Sequence, residues 1–376
     1  MTPSFPHARL RTFLLPAALG IIATLLSTVS HAHTTNAIDL FDKAVARRLP
    51  QTIVLSHAGT DNGKLVIESS LDVEVRFPGD MTGDVPGNMY VATWQGEHAV
   101  LTRSGNHLDI SVPRSGSVEV TGFSTDAEES HHVDTGVTHD RQELVIPLGS
   151  MQPMALPRYA ARSTVTAKPP RVPTSPSLVF WLFQHDDTLD MTRQHIHASY
   201  VAWWIADMKK ILPTRRVWAI YSQQIEGLTD IPYGHESSLR DWSTAMDAYA
   251  RQQKLPQVHG EFEYKFMLLT KHEVAPGVSG LAWLGGDHAI ASLSGRYTIV
   301  AHEYGHTLNA NHEDADVHWS SGWPCETNLK STANPLRANC YRYSAANERR
   351  MRAYMANEWT VPVRLRPPDI PRYIVD

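Results

Sequence analysis

The chain has 376 residues, 42% of them apolar and 19% charged, with a formal net charge of −5. That length can bury a sizeable core and suggests two domains rather than one, in an ordinary soluble composition. The mildly acidic balance gives no sign of the basic surface that nucleic acid or an anionic membrane requires, so neither is expected as a partner.

The first 32 residues have the form of an export signal. Arg9 and Arg11 precede a short apolar run from Phe13 to Leu26, broken by Pro16 and Gly20, and Ser30-His31-Ala32 offers small residues for cleavage near Ala32. The run is short for a bilayer span. The expectation is a secreted or periplasmic chain that begins near His33 and keeps no stable membrane anchor.

Residues 33–150 read as a β-rich domain. Lys64 to Ile67, Asp72 to Phe77, Met89 to Trp94, Leu108 to Val112 and Ser117 to Val120 alternate apolar with polar residues between Gly, Asn, Asp and Pro turns. Residues 151–177 interleave six prolines with Arg158, Arg162, Lys168 and Arg171, the composition of an extended connector open to cleavage. From residue 178 to 376 the pattern is mixed. Leu178 to Phe183 is a buried strand, and a helix capped by Asp190 runs to Leu212. A strand follows at Arg216 to Ser222, a helix at Ser238 to Gln252 and a strand at Phe262 to Thr270. Val278 to Ser292, rich in Gly and apolar residues, leads into a helix starting near Arg296. The fold class expected is α+β, with a small all-β domain ahead of a catalytic domain.

That last helix carries His302-Glu303-x-x-His306, and His312 follows six residues later. Residues four apart share a helix face, so His302 and His306 can present imidazoles to one ion. Zn²⁺ takes neutral imidazole nitrogen, and a catalytic site keeps three protein ligands and one open position. Glu303 is placed to act as general base. A continuous helix would carry His312 away, but Asn309 readily adopts the left-handed conformation that ends a helix and turns the chain back. The nearby His272-Glu273 pair lacks a second histidine, since Pro276 stands at that position. Cys325 and Cys340 are the two cysteines; in an oxidising compartment they form a disulfide closing a loop of about 15 residues, worth about 3 kcal/mol.

The run His302-Glu303-x-x-His306-x-x-Asn309-x-x-His312 resembles the long zinc signature of the metzincin peptidases, with Asn309 where that family usually has Gly. The resemblance extends from Leu178 to about Met355. It implies a zincin-like catalytic domain holding one Zn²⁺ on His302, His306 and His312, and hydrolysis of protein or peptide bonds with Glu303 as base. Gly277 to Gly286 is similar to the edge-strand region of the adamalysin-like branch, whereas Glu313 is like astacins, and the branch stays open. The methionine that metzincins place in a turn beneath the metal has Leu329 as its best counterpart, with Met351 and Met355 as alternatives. Phe77-Pro78-Gly79-Asp80 resembles the short motif by which astacin propeptides place a carboxylate on zinc. Asp80 is therefore a candidate latency residue and the β-rich domain a candidate pro-domain.

Tyr341 and Tyr343 are candidate oxyanion donors. Gly277 to Ser292 is expected to offer an exposed edge strand to an extended peptide. Two rivals remain: a thermolysin-like peptidase with Glu326 as third ligand, and a catalytically silent binding protein with structural zinc. The physiological substrate and the oligomeric state are not legible.

Overall fold

The computed structural model describes residues 36–56, 62–77, 85–125, 177–255, 262–320, 323–331, 334, 336–356 and 373–375. The export signal, Asp80 and all but the last residue of the Pro-rich connector lie outside the described residues.

Helix α1 (Ala37–Val45), capped by the Asn36 side chain, precedes six strands. These are β1 (Gln51–Leu55), β2 (Gly63–Phe77), β3 (Val85–Trp94), β4 (Glu97–Ser104), β5 (His107–Pro113) and β6 (Val118–Ser124). Gln95 and Gly96, both at positive φ, close β3 onto β4 in the left-handed turn that suits the twist of a two-residue hairpin. After β7 (Ser177–Gln184), α2 (Arg193–Ile196) runs through a π-helical turn (His197–Val201) into α3 (Ala202–Ile211). Thr192 caps α2 by accepting from His195 N, while Asp190, the cap expected from sequence, pairs instead with Lys271.

The chain continues through β8 (Arg216–Gln223), α4 (Ser238–Gln252), β9 (Phe262–Thr270), β10 (Gly280–Trp283), β11 (His288–Ser292) and α5 (Ile299–Thr307). It ends with β12 (Val317–Ser320), β13 (Trp323–Glu326), β14 (Ala338–Asn339), α6 (Ala345–Met355) and β15 (Tyr373–Val375). Among the described residues no helix is long and apolar enough to cross a membrane.

One 12-stranded mixed sheet carries most of these strands, in the order β15-β10-β11-β9-β7-β8-β2-β3-β4-β5-β6, with β1 also on β2. Strands β8, β7, β9 and β11 are parallel, and β10 is antiparallel to β11. Strand β7 is buried on both faces, which is why it reads as an uninterrupted apolar run. Leu178, Phe180 and Leu182 pack in the cluster that includes α3 and α5, while Val179, Trp181 and Phe183 pack in the cluster that includes α4.

The stretch expected as a separate β domain is built into this sheet. The second half of β2 pairs in parallel with β8, Val73 opposite Val217 and Arg76 opposite Ile220. Val75, Phe77, Met89, Val100, Val118 and Val120 belong to the same hydrophobic cluster as Val300 and Tyr304 of α5. The described residues from Asn36 onward form one compact unit. A composition break at the connector therefore does not coincide with a break in the core.

Candidate metal centre

Helix α5 is buried along its whole length and enters the core beneath the parallel strands. Tyr304 fixes its rotation: the ring stacks on Trp204 at 5.1 Å and the hydroxyl donates to Trp181 O at 3.2 Å. His302, Glu303 and His306 are all buried.

The helix ends as Asn309 predicts. Asn309 sits at φ 68°, Asn309 N donates to His306 O at 2.9 Å, and Ala310 N donates to Gly305 O at 3.0 Å. This paired closure satisfies carbonyls at the helix end and reverses the chain. Helix α6 then holds the returning segment. Arg350 Nε donates to Asn309 O, and the buried Asn347 bonds the Asn311 backbone from both ends of its amide, each at 2.9 Å. His312 follows directly.

The outcome is a convergence of three nitrogens. Nε2 of His302 lies 3.0 Å from that of His312 and 2.9 Å from that of His306, and the His306–His312 separation is 3.0 Å. His306 Nδ1 faces Ala310 O at 2.9 Å; the carbonyl only accepts, so Nδ1 carries the hydrogen and Nε2 presents a lone pair. Among the described residues this trio is the group of His, Cys, Asp and Glu side chains close enough to hold a metal ion. A triangle of this size has its centre about 1.7 Å from each nitrogen. One ion beside its plane can therefore reach all three at the about 2.0–2.1 Å of zinc–imidazole bonds.

Two features around the trio were not legible in sequence. Gly280, the first residue of β10, has no side chain because Glu303 occupies that space. A Cβ there would lie 2.6 Å from Glu303 Cδ, 2.7 Å from Cγ, and closer still to Oε1. The carboxylate is thus laid against the backbone of β10. Lys265, fully buried in β9, donates to Gly286 O at 2.9 Å, Asp287 Oδ1 at 3.0 Å and Tyr354 OH at 2.9 Å, tying the β10–β11 turn to α6. The charged pair Glu263 and Lys265 inside a buried strand was the signal available for that tie. Gly285 N donates to His306 O at 2.8 Å, which joins the same turn to α5.

Leu329, one of three candidate counterparts of the methionine, packs against α5 at Gly305. A Cβ on Gly305 would meet Leu329 Cδ2 at 2.9 Å and Tyr343 Cε1 at 2.8 Å, so both pack directly under the helix between the two histidines. Met351 and Met355 are buried residues of α6.

The tyrosine expectations need correction. Tyr343 is fully buried behind α5; its hydroxyl donates to Ala301 O and accepts from Trp204 Nε1 at 2.8 Å. Tyr341 OH donates to Ser117 O at 2.6 Å, on the loop between β5 and β6. Both hydroxyls are committed to backbone carbonyls, so neither is the oxyanion donor that sequence proximity suggested. Glu326 is buried and paired with Arg337 at 3.0 Å, outside the trio. Cys325 and Cys340 form the expected disulfide.

No protein-family model matches the sequence, and no curated protein matches it either. Among solved structures the chain is similar to metalloproteinase-II from Bacteroides fragilis. The TM-score is 0.55 at 15% identity, over 85% of this chain and 96% of that one. At that identity the likeness is one of fold: the chain has a metalloproteinase-like fold of mixed α and β.

Proposed function

We propose that the chain is a zinc-dependent metalloendopeptidase of metzincin type, with His302, His306 and His312 as metal ligands and Glu303 as general base. The convergence of three imidazole Nε2 atoms beside a buried carboxylate carries the reading. Zinc held there would polarise a scissile carbonyl and lower the pKa of a water molecule toward about 7.

The chain's own residues supply the rest. Glu303 takes the proton of the attacking water and returns it to the leaving amine. Gly280 lets that carboxylate lie against β10, so a peptide running along β10 meets the base without a side chain between them. His306 is held in one tautomer by Ala310 O, and His312 is aimed by the Asn347 clamp on its neighbour. Leu329, not a ligand, packs under the helix where metzincins carry methionine, and the branch within that class stays open. The proposal includes export through residues 1–32, to the periplasm or the external medium, and a protein or peptide substrate. A role of residues 33–150 as a latency-conferring segment is part of it as well.

Glu303→Gln keeps all three imidazoles and so should keep the metal, while hydrolysis of casein falls by at least about two orders of magnitude. Near-normal activity in that variant would remove Glu303 from the mechanism.

A further inference from the structure

The flank of β10 that faces away from β11 is the place the proposed function gives to an extended peptide, and it is already taken. Strand β15 pairs with β10 in antiparallel register: Val375 opposite Leu281, Ile374 opposite Ala282 and Tyr373 opposite Trp283. Leu281 is the residue after Gly280, against which Glu303 lies. The pairing therefore runs along the wall of the site itself.

We propose that this flank of β10 is a peptide-docking edge whose resident occupant is the chain's own segment Tyr373–Val375, in competition with peptides from outside. The competition is a matter of valence. Each backbone N–H and C=O on the outer side of β10 completes one ladder, so β15 and a second strand cannot hold it together. The occupant has the residue types for the task, since Tyr, Ile and Val favour extended backbone. It is also short: three residues, against the five to six of an average strand. A ladder of three residue pairs can open and re-form, which is what competition with a second strand requires. Being part of the same chain, it acts at an effective concentration that a free peptide must exceed.

The inference rests on the reading of β10 as the substrate edge, and its test separates the two. Backbone N–H groups along a strand point alternately to its two sides. The double substitution Ile374→Pro, Val375→Pro therefore removes one N–H aimed at β10, wherever the ladder falls. The probe is a fluorescein-labelled Pro-Arg-Tyr-Ile-Val-Asp peptide, the sequence of residues 371–376, titrated by anisotropy against the full-length chain and the full-length double variant. The variant should bind the probe at least threefold more tightly than the wild type. It should also cleave a peptide substrate with KM lowered at least threefold at unchanged kcat, and the free peptide should inhibit it competitively. Equal probe binding and equal KM in the two proteins would overturn the docking proposal and leave the peptidase reading standing. Tighter probe binding by the variant without hydrolysis by either protein would support docking and sink the peptidase reading.

Discussion

The parallel strands are flanked on both sides by segments distant in sequence, and the two flanks are held in different ways. On the β8 flank, β2 contributes ladder and core together. Phe77 stacks on Tyr221 at 5.1 Å and meets His197 edge-on at 5.6 Å. His197 in turn contacts Tyr221 OH at 2.8 Å and Thr102 Oγ1 at 3.1 Å. Burial lowers the His197 pKa to about 3, so at neutral pH it bridges the two halves as an uncharged group. On the β10 flank, β15 contributes three residue pairs of ladder. The first flank is continuous with the core, and the second is the one proposed above to exchange. The histidine trio lies beside the second flank, where the proposed function has a substrate strand enter.

The β8 flank is most sensitive at Phe77. Phe77→Ala empties a fully buried ring position between the two halves, and the expected cost is about 3–5 kcal/mol of unfolding free energy. Urea denaturation should still show one transition, shifted to lower denaturant, because the halves share a core. Two transitions, with the later one unshifted, would mean that the N-terminal strands fold as their own domain.

Gly280→Ala probes the other flank with a smaller change. The added methyl meets the Glu303 side chain first, at its Oε1, Cδ and Cγ, and displaces the carboxylate. The expected outcome is kcat lowered at least about tenfold, or about 1.4 kcal/mol of barrier, with metal content and thermal stability close to wild type. Unchanged kcat would show that the base does not need the slot against β10.

These differences also mark what the sequence could disclose. The convergence of the three histidines was legible because its determinants are local: a four-residue spacing on one helix, and an Asn able to take the left-handed turn that returns His312. Strand β7 was legible for a similar reason, as a short apolar run buried on both faces. The joining of β2 to β8 was not. Alternation in β2 says that one face is buried, yet nothing local says which strand lies beside it, so a free-standing β domain was the natural expectation. Tyr341 and Tyr343 misled because nearness in sequence to the disulfide says nothing about which side of α5 a ring occupies. Gly280 and Asn347 passed unnoticed for the opposite reason. One matters through the side chain it lacks and the other through backbone bonds to a loop, and neither leaves a periodic trace.

In the proposed function three imidazoles, and no carboxylate, hold the metal. Elemental analysis of folded, purified protein tests it most directly. The wild type should carry one zinc per chain, His312→Ala should lose most of it, and Glu326→Ala, which breaks only the pairing with Arg337, should retain it. Zinc kept by His312→Ala and lost by Glu326→Ala would place the third ligand on β13 and rule out the three-histidine site.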